Sequence, residues 1–164
     1  MITQHSDRLR ARHSPAQIFE LVSDVERYPE FIPYLATLRI LYHEQSGAMR
    51  TFVAEAIARY KFVREKFVSR VTTNADDFSV SVELVEGPFH VLKNTWQLSP
   101  LSDGTTRINF DLAFQFNNVV LDVLFRANKQ RAVNELIDRF GKEAARRYPL
   151  VGENEWPDLR TLKT

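Results

Sequence analysis

The sequence of 164 residues predicts an α+β fold in which a curved antiparallel sheet wraps around one long C-terminal helix. Apolar and polar residues alternate over residues 35–116 in segments joined by tight turns, which is typical of antiparallel neighbours. A single apolar stripe at helical spacing then runs over residues 118–148. No other element is long enough to cover the apolar face of the sheet.

The chain begins with one strand and one short helix. Polar residues outnumber apolar ones in residues 3–12, which predicts an edge strand. Ser14 is a good helix N-cap, and Pro15 suits the first helical position. Apolar residues between positions 18 and 22 predict an amphipathic helix that ends near Asp24.

A short aromatic segment with two prolines follows, from Tyr28 to Tyr34. Prolines four residues apart exclude one long helix, so we expect a single turn or a kinked helix here. Its apolar side chains, Phe31 and Ile32 among them, have two interpretations. The segment is either a plug at a corner of the sheet or a lid over a cavity.

Two features of the strands concern the space beneath the helix. Ala54, Ala56 and Ala58 share a strand face with Phe52, which leaves room for a close helix or for a ligand. Glu65 shares a face with apolar neighbours and points inward unless a β-bulge reverses it. The later strands have these predicted inward rows: Phe78, Val80, Val82 and Leu84; Leu92, Asn94, Trp96 and Leu98; Ile108, Phe110, Leu112, Phe114 and Phe116.

The C-terminal stripe predicts one continuous helix over residues 118–148. Asn118 is a good N-cap, basic residues occupy the last turn, and Pro149 ends the helix. A helix of about thirty residues is roughly 45 Å long. Residues 149–164 lack periodicity, so we expect a single domain over residues 1–148 followed by a loose tail.

Composition narrows the classes of function. The absence of cysteine excludes disulfides, thiol nucleophiles and thiolate metal sites. The first residues are polar and no stretch approaches about eighteen apolar residues, so we expect neither a signal peptide nor a transmembrane segment. The expected location is the cytoplasm, with peripheral contact at the inner membrane as an option.

No motif for catalysis or metal binding stands out. The four histidines, His5, His13, His43 and His90, lack the spacing of metal ligands. No glycine-rich phosphate loop is present among only five glycines. We therefore predict a binding protein rather than an enzyme, with no catalytic residues, no metal and no cofactor.

Several segments together resemble a known family. They read SPAQIFELVSDVERYPEFIPYL (residues 14–35), REKFVSRV (64–71) and VEGPFHVLKNTWQLSPL (85–101), followed by the closing helix. Over residues 3–148 the chain resembles the coenzyme Q-binding START-type proteins, also called the polyketide cyclase/START or ribosome-association toxin family. Tyr34 departs from the family pattern, because a tryptophan is expected there.

The resemblance implies a helix-grip fold with an internal hydrophobic cavity. Mitochondrial members of that family bind ubiquinone and support respiration without making the quinone. The implied function is therefore to bind ubiquinone or a similar isoprenoid lipid, and to carry or present it in support of respiratory electron transport. Tyr34, Asn94 and Glu65 are the polar groups available to orient such a ligand. The candidate quinone- or lipid-binding residues are Phe31, Tyr34, Phe89, Asn94, Trp96, Phe110, Phe114, Val120, Val123, Leu124 and Ala127.

The alternative function is that of a ribosome-directed protein, because some bacterial members of the family are described as blocking association of the ribosomal subunits. Residues 126–148 carry seven basic and three acidic side chains. This is either a solvated helix face or a surface for RNA or lipid headgroups, with Arg139, Lys142 and Arg146 as candidate contacts. A formal net charge of +1 is weak for an RNA binder, so quinone binding ranks first.

Overall fold

Eight strands form one sheet in the computed structural model, which describes residues 1–164. The strands are β1 (Thr3–Ala11), β2 (Leu35–Ser46), β3 (Met49–Tyr60), β4 (Val63–Asn74), β5 (Ser79–Glu86), β6 (Phe89–Pro100), β7 (Thr106–Phe116) and β8 (Arg160–Thr161). Their order across the sheet is β2-β3-β4-β5-β6-β7-β1-β8. All neighbours are antiparallel except β1 and β8. The predicted α+β class with an antiparallel sheet is confirmed.

The helices are α1 (Pro15–Ser23), a 3-10 helix (Val25–Glu30), α2 (Val119–Ala127) and α3 (Lys129–Arg147). The start of α1 is locally encoded. The Ser14 side chain accepts the N–H of Gln17 at 3.2 Å, and the Gln17 side chain accepts the N–H of Ser14 at 3.1 Å. The predicted helix, with Asp24 at its C-cap, is confirmed.

The segment with two prolines begins in the 3-10 helix, which contains Pro29 and ends at Glu30, and Pro33 follows in a turn. The hydroxyl of Tyr28 donates to the carbonyl oxygen of Val22, and Ile32 is buried in the core. The prediction of a short turn in place of a long helix is confirmed. Ile32 is part of the core, and with Tyr28 and Tyr34 it also lines a cavity, so the segment both fills a corner of the sheet and covers a cavity.

The prediction of a single helix over residues 118–148 is wrong, because the helix is interrupted at Asn128. The backbone of Asn128 leaves helical geometry at φ −109° and ψ 11°. Its side-chain amide donates to the carbonyl oxygen of Leu124 at 2.7 Å. Asparagine readily makes such local bonds to the backbone, which compete with a continuing helix. As a result α2 and α3 can adopt different orientations.

The loose tail expected after residue 148 is instead packed against the domain. Arg160 and Thr161 form β8 beside β1, and the N–H of Leu162 donates to the carbonyl oxygen of Arg10 at 2.8 Å. Leu162 is part of the hydrophobic core. For the same reason β1 is not the edge strand that its polar sequence predicted.

The core lies between one face of the sheet, called here the inner face, and the helices α1 and α3. The helix α3 contributes Val133, Ile137, Phe140 and Ala144, as its apolar stripe predicts. The strand β7 contributes Ile108 and Phe110 from its inner row. The core does not fill all the space between the sheet and α3, and the remaining volume forms the candidate site.

Candidate functional site

A cavity in two chambers lies between the inner face of the sheet and the helices. The inner chamber has a volume of about 270 Å³ and the outer chamber about 250 Å³. Five residues line both chambers, so the two chambers are adjacent: Tyr34, Phe67, Leu92, Leu112 and Leu136.

The inner chamber is almost entirely apolar. Its sheet wall comes from the inner rows of β2 to β7, and its far side from the 3-10 segment and α3. Besides the shared residues it is lined by Val25, Tyr28, Ile32, Leu35, Leu38, Ala54, Ala56, Ser69, Val71, Val80, Val82, Asn94, Trp96, Phe110 and Phe140.

The outer chamber opens toward solvent and has three charged residues in its lining, Arg59, Glu65 and Lys129. The hairpin of β3 and β4 forms one side of the opening, and α2 with the start of α3 forms the other. Besides the shared residues it is lined by Ala58, Arg59, Tyr60, Val63, Glu65, Phe89, Phe114, Phe116, Phe125, Lys129, Ala132 and Val133.

The row of alanines on β3 creates much of this space. Ala54 and Ala56 line the inner chamber, and Ala58 lines the outer one. Larger residues at these positions would extend from the strand into the volume that the chambers occupy. The prediction that the row leaves room above the sheet is confirmed.

Aromatic rings follow one another around the outer chamber. The ring of Phe89 packs against Phe67 at a centroid distance of 5.9 Å and against Phe116 at 4.5 Å. Phe116 stacks on Phe125 at 4.9 Å, and Phe125 packs on Tyr60 at 5.1 Å. Tyr60 in turn contacts Tyr34 at 5.4 Å. Such a wall offers ring faces and edges to a planar or branched apolar ligand.

The polar groups of the inner chamber are few, and most are already bonded within the protein. The Asn94 amide donates to the carbonyl oxygen of Asp111 at 2.8 Å and accepts from the Trp96 indole at 3.0 Å. Ser69 is buried on the chamber wall, and its hydroxyl makes none of the protein's hydrogen bonds. That hydroxyl is therefore free to bond with a ligand.

Both tyrosine hydroxyls of the inner chamber are held neutral. Burial raises the pKa of Tyr28 well above its ordinary value. Burial, and then the carboxylate of Glu135, raise the pKa of Tyr34. Neither group can therefore supply a negative charge at neutral pH.

Glu65 lies in the lining of the outer chamber, as its strand face predicts. The irregularity in β4 falls between Val68 and Ser69 and does not turn Glu65 outward. Lys129 and Arg59 line the same chamber, and the ammonium group of Lys129 donates to the carbonyl oxygen of Gln4 at 3.0 Å. The charged groups of the cavity are thus gathered in its outer part.

The cavity lining contains the predicted sheet wall but none of the predicted helix wall. Six of the predicted residues line the cavity: Tyr34, Phe89, Asn94, Trp96, Phe110 and Phe114. Five do not. Phe31 packs instead on Phe140 at 5.3 Å, outside the lining. The other four are the whole predicted helix wall: Val120, Val123, Leu124 and Ala127.

The helix wall was misplaced because α2 presents another side to the sheet. Leu121 and Asp122 are buried, and Asp122 accepts the backbone N–H of Phe116 at 3.1 Å. Val120 and Val123 are consequently exposed, with 70% and 52% of their surfaces accessible. The true helix wall, which the sequence reasoning missed, consists of Phe125, Lys129, Ala132, Val133, Leu136 and Phe140.

Other lining residues were missed although the sequence carried a signal for some of them. Leu112 and Phe116 belong to the predicted inner row of β7, and Phe67 shares the face of Glu65. Ser69 continues the same face as Phe67, and Tyr60 continues the row of Ala54, Ala56 and Ala58, so the period of two would have found both.

The predicted basic face is exposed but partly neutralised. Arg139 lies 4.0 Å from Glu135, and Arg146 bonds to Glu143, a buried carboxylate. The side-chain hydrogen bond that Arg146 donates to Glu143 raises the pKa of Arg146. Lys142 is exposed and makes no ion pair within the chain. This face therefore offers less free charge than the sequence count indicates.

Two further features limit what the site can be. No group of three or more His, Asp or Glu side chains is arranged to hold a metal ion. None of the helices combines the length and the apolar character that crossing a bilayer requires.

Comparisons with known proteins agree with this geometry. A family model described as "Polyketide cyclase / dehydrase and lipid transport" matches residues 12–141. A ribosome association toxin of Rickettsia prowazekii is 33% identical over 135 residues, covering 80% of this chain and 89% of that protein. A mitochondrial coenzyme Q-binding protein of Schizosaccharomyces pombe is 23% identical over 144 residues, covering 87% of each.

A solved structure extends the similarity to the fold. An 18 kDa protein from Caulobacter crescentus superposes with a TM-score of 0.76 at 36% sequence identity. The match covers 88% of this chain and 97% of that one.

Proposed function

Because this chain belongs to the polyketide cyclase / dehydrase and lipid transport family, we propose that it binds a polyprenyl quinone, such as ubiquinone, in its two-chamber cavity. It carries or presents the quinone unchanged in support of respiratory electron transport, from the cytoplasm and at the surface of the inner membrane. The observation that carries the proposal is an apolar cavity walled by consecutive aromatic rings.

The size and chemistry of the cavity suit such a ligand. Ligand sites usually have volumes of about 300–1,000 Å³ and contain few polar groups, and the two chambers together fall in this range. A quinone ring is planar and has only two strong hydrogen-bond acceptors. Its isoprenoid tail is apolar throughout, so an aromatic and aliphatic wall can bury the tail without leaving a polar group unpaired.

The free polar group sets the orientation of the ligand. The hydroxyl of Ser69 in the inner chamber can donate to a quinone carbonyl oxygen. The ring then lies in the inner chamber, and the tail passes along the aromatic rings toward the opening. Tail units that exceed the cavity leave the protein between the β3–β4 hairpin and α2.

The arrangement favours a carrier over an enzyme. General acid–base catalysis needs a titratable group near the reacting atoms with a pKa close to the working pH. In the inner chamber the tyrosines are held neutral by raised pKa values, and Asn94 is engaged in bonds within the protein. The carboxylate of Glu65 and the ammonium group of Lys129 lie in the outer chamber, away from the proposed ring position.

The first test measures ligand content and binding. Organic extraction of the purified protein followed by mass spectrometry should recover a quinone of unchanged mass. In a Trp156→Phe variant, a short-chain ubiquinone should quench Trp96, which lines the inner chamber. Protein without any quinone, and without quenching by added quinones, would overturn the proposal. A chemically altered quinone would overturn the carrier part alone.

A matched pair of substitutions locates the site. Ala56→Leu fills part of the inner chamber and should weaken quinone binding about tenfold by overpacking. Ala113→Leu makes the same change on β7 outside the cavity lining and should leave binding unchanged. Ser69→Ala should weaken binding about fivefold by removing one hydrogen bond. Equal effects at Ala56 and Ala113 would place the ligand elsewhere.

A second function is association with ribosomal subunits. The observation that favours it is the 33% identity to a protein named as a ribosome association toxin. If Arg139 and Lys142 contact RNA, binding to isolated subunits should fall steeply with salt. The variant Arg139→Glu with Lys142→Glu should then reduce it.

The structure changes the choice of variant for this second test. Arg146 bonds to the buried carboxylate of Glu143, so reversing its charge would also disturb the fold. Arg139 and Lys142 alone are the cleaner pair, with Ala56→Leu as the matched cavity variant. Quinone carriage predicts that only Ala56→Leu lowers respiration in membranes. Ribosome association predicts that only the basic pair changes the ratio of free subunits to whole ribosomes.

A further inference from the structure

The cavity opens at one end of the sheet, called here the open end. Because neighbouring strands are antiparallel, four connections meet there. They are the β3–β4 turn at Lys61 and Phe62, the β5–β6 turn at residues 87–88, the passage from β7 into α2 at residues 117–118, and the passage into β2 at residues 31–34. The open end is therefore built from tips of the fold rather than from its core.

Large apolar side chains at the open end are exposed to solvent. Phe62 has 83% of its surface accessible, Val119 78% and Val120 70%, and Val123 is also exposed. Single exposed apolar residues are ordinary, but a group of them on adjacent elements marks a surface that contacts an apolar environment.

The elements that carry these side chains border the opening of the cavity. Tyr60, next to the β3–β4 turn, packs on Phe125 of α2 at 5.1 Å, and both rings line the outer chamber. The turn and α2 are thus in contact across the opening. An apolar phase that covered the β3–β4 turn and α2 would therefore lie next to the opening of the cavity.

A run of basic residues on the β3–β4 hairpin, called here the basic collar, flanks this apolar group. Residues 59–66 read RYKFVREK, with four basic side chains and one acidic one. Arg59, Lys61, Arg64 and Lys66 are exposed and form no ion pair within the chain. The acidic Glu65 lines the cavity, so it does not cancel the charge of the collar on its outer side.

We propose that the open end docks on the surface of an anionic lipid bilayer. Phe62, Val119, Val120 and Val123 enter the boundary between headgroups and acyl chains, while the collar contacts the anionic headgroups. The cavity then opens directly into the hydrocarbon, and an isoprenoid tail can pass between bilayer and protein without crossing water. The purpose of docking rests on the proposed quinone function, but the docking itself does not.

Charge decides between a bilayer and a second copy of the chain. A symmetric dimer through the open end would place the same patch on both sides of the interface and bring two basic collars together. Like charges held in contact disfavour such an interface. An anionic bilayer supplies both the opposite charge and the apolar layer that this surface lacks.

Vesicle co-sedimentation of the full chain tests the proposal. The protein should sediment with vesicles of phosphatidylcholine and phosphatidylglycerol, and much less with phosphatidylcholine alone. Phe62→Ser with Val120→Ser should lower the partition coefficient about tenfold by removing apolar insertion. Lys61→Glu with Arg64→Glu should lower it by at least about tenfold through the headgroups.

The matched control lies at the opposite end of the sheet. Tyr42 and Met49 are also large and exposed, and Tyr42→Ser with Met49→Ser should leave vesicle binding unchanged. Equal loss in this control, or no binding of the unaltered protein to anionic vesicles, would overturn the proposal. So would sedimentation as a dimer that Phe62→Ser dissociates, because the apolar group would then be a protein interface.

A soluble quinone separates this proposal from the proposed function. The docking variants should still bind a short-chain ubiquinone, as read from quenching of Trp96. Ala56→Leu should still bind vesicles. If vesicle binding follows these predictions while no quinone binds, docking stands and quinone carriage fails.

Discussion

The two ends of the sheet have opposite chemistry. The open end presents exposed apolar side chains and unpaired basic ones beside an apolar cavity. The opposite end, called here the closed end, contains the β6–β7 turn, the end of β1 and residues 149–164. There, charged groups are buried and bonded to one another. The contrast indicates that the closed end contributes to the stability of the fold, whereas the open end is less tightly packed and suited to binding.

Arg10 is at the centre of the closed end, and its side chain is fully buried. It donates to Asp103 at 2.7 Å, to Thr105 at 3.0 Å and to Thr161 at 2.9 Å. Its guanidinium carbon also lies 5.4 Å from the centre of the Trp156 ring. One residue thus connects β1, the β6–β7 turn and the C-terminal segment.

Asp103 is a well-satisfied carboxylate. Burial acts to raise its pKa, but hydrogen bonds from Thr105, from the backbone of Glu153 and from Arg10 hold the pKa well below its ordinary value. At the open end, by contrast, the side chains of Arg64 and Lys66 make no hydrogen bond or ion pair within the chain. The comparison predicts that changes at the closed end affect folding, and that changes at the open end affect binding.

Removing residues 149–164 should have the largest effect on stability. The truncation exposes the pocket of the buried Leu162 and removes Thr161 from Arg10. Loss of a buried leucine and of partners for a buried charge together should lower the free energy of unfolding by about 5 kcal/mol. Urea unfolding followed by circular dichroism measures it, and an unchanged midpoint would show that the segment contributes nothing.

Arg10→Met should have the next largest effect. It keeps much of the side-chain volume but leaves Asp103 without its cationic partner, which costs about 3 kcal/mol of stability. Arg8→Met, at an exposed pair with Asp111, is the matched control and should cost less than about 1 kcal/mol. Similar losses in both variants would mean that the closed end is not special.

Gly141→Ala should destabilise the protein by about 1 kcal/mol, although Gly to Ala usually stabilises a helix by about 0.5–1 kcal/mol. A methyl group there would lie 2.6 Å from the carbonyl oxygen of Lys163 and 3.2 Å from the Cβ of Leu162. The C-terminal segment would have to move away from α3. Thermal unfolding decides the sign, and a raised melting temperature would contradict the close packing.

Asp103→Asn should change the acid dependence of stability. Since the folded-state pKa lies below the unfolded value of 3.8, this carboxylate stabilises the fold above that pH. The contribution disappears as the pH falls through the lower folded-state value. Urea midpoints from about pH 6 to about pH 2 should therefore converge for the two proteins. Asp76→Asn, at an exposed turn, is the control, and a constant gap for Asp103→Asn would contradict the assignment.

Substitutions at the open end should have the smallest effect on stability. Phe62→Ser and Val120→Ser remove side chains that are already exposed, so the free energy of unfolding should change by about 0.5 kcal/mol or less. Chemical denaturation measures this in the absence of lipid. A larger loss would mean that these side chains serve the fold, which would weaken the distinction between the two ends.

Much of the fold was predictable because it depends on local rules. The inner row of β7 follows from a side-chain period of two, which holds in any strand environment. The start of α1 follows from Ser14, Pro15 and Gln17 alone. The alanine row on β3 correctly indicated open space, and five of the six predicted wall residues that line the cavity come from segments of the sheet.

The sequence by itself determined which residues alternate along each strand, where α1 begins and that the space beside β3 is large. Only the tertiary structure decided the orientation of α2 and the place of residues 149–164. The exposed side of α2 is as apolar as its buried side, so periodicity could not tell which one faces the sheet. The C-terminal segment is held by single contacts such as Leu162 in the core and Thr161 on Arg10, and isolated contacts between distant residues leave no periodic signal in a sequence.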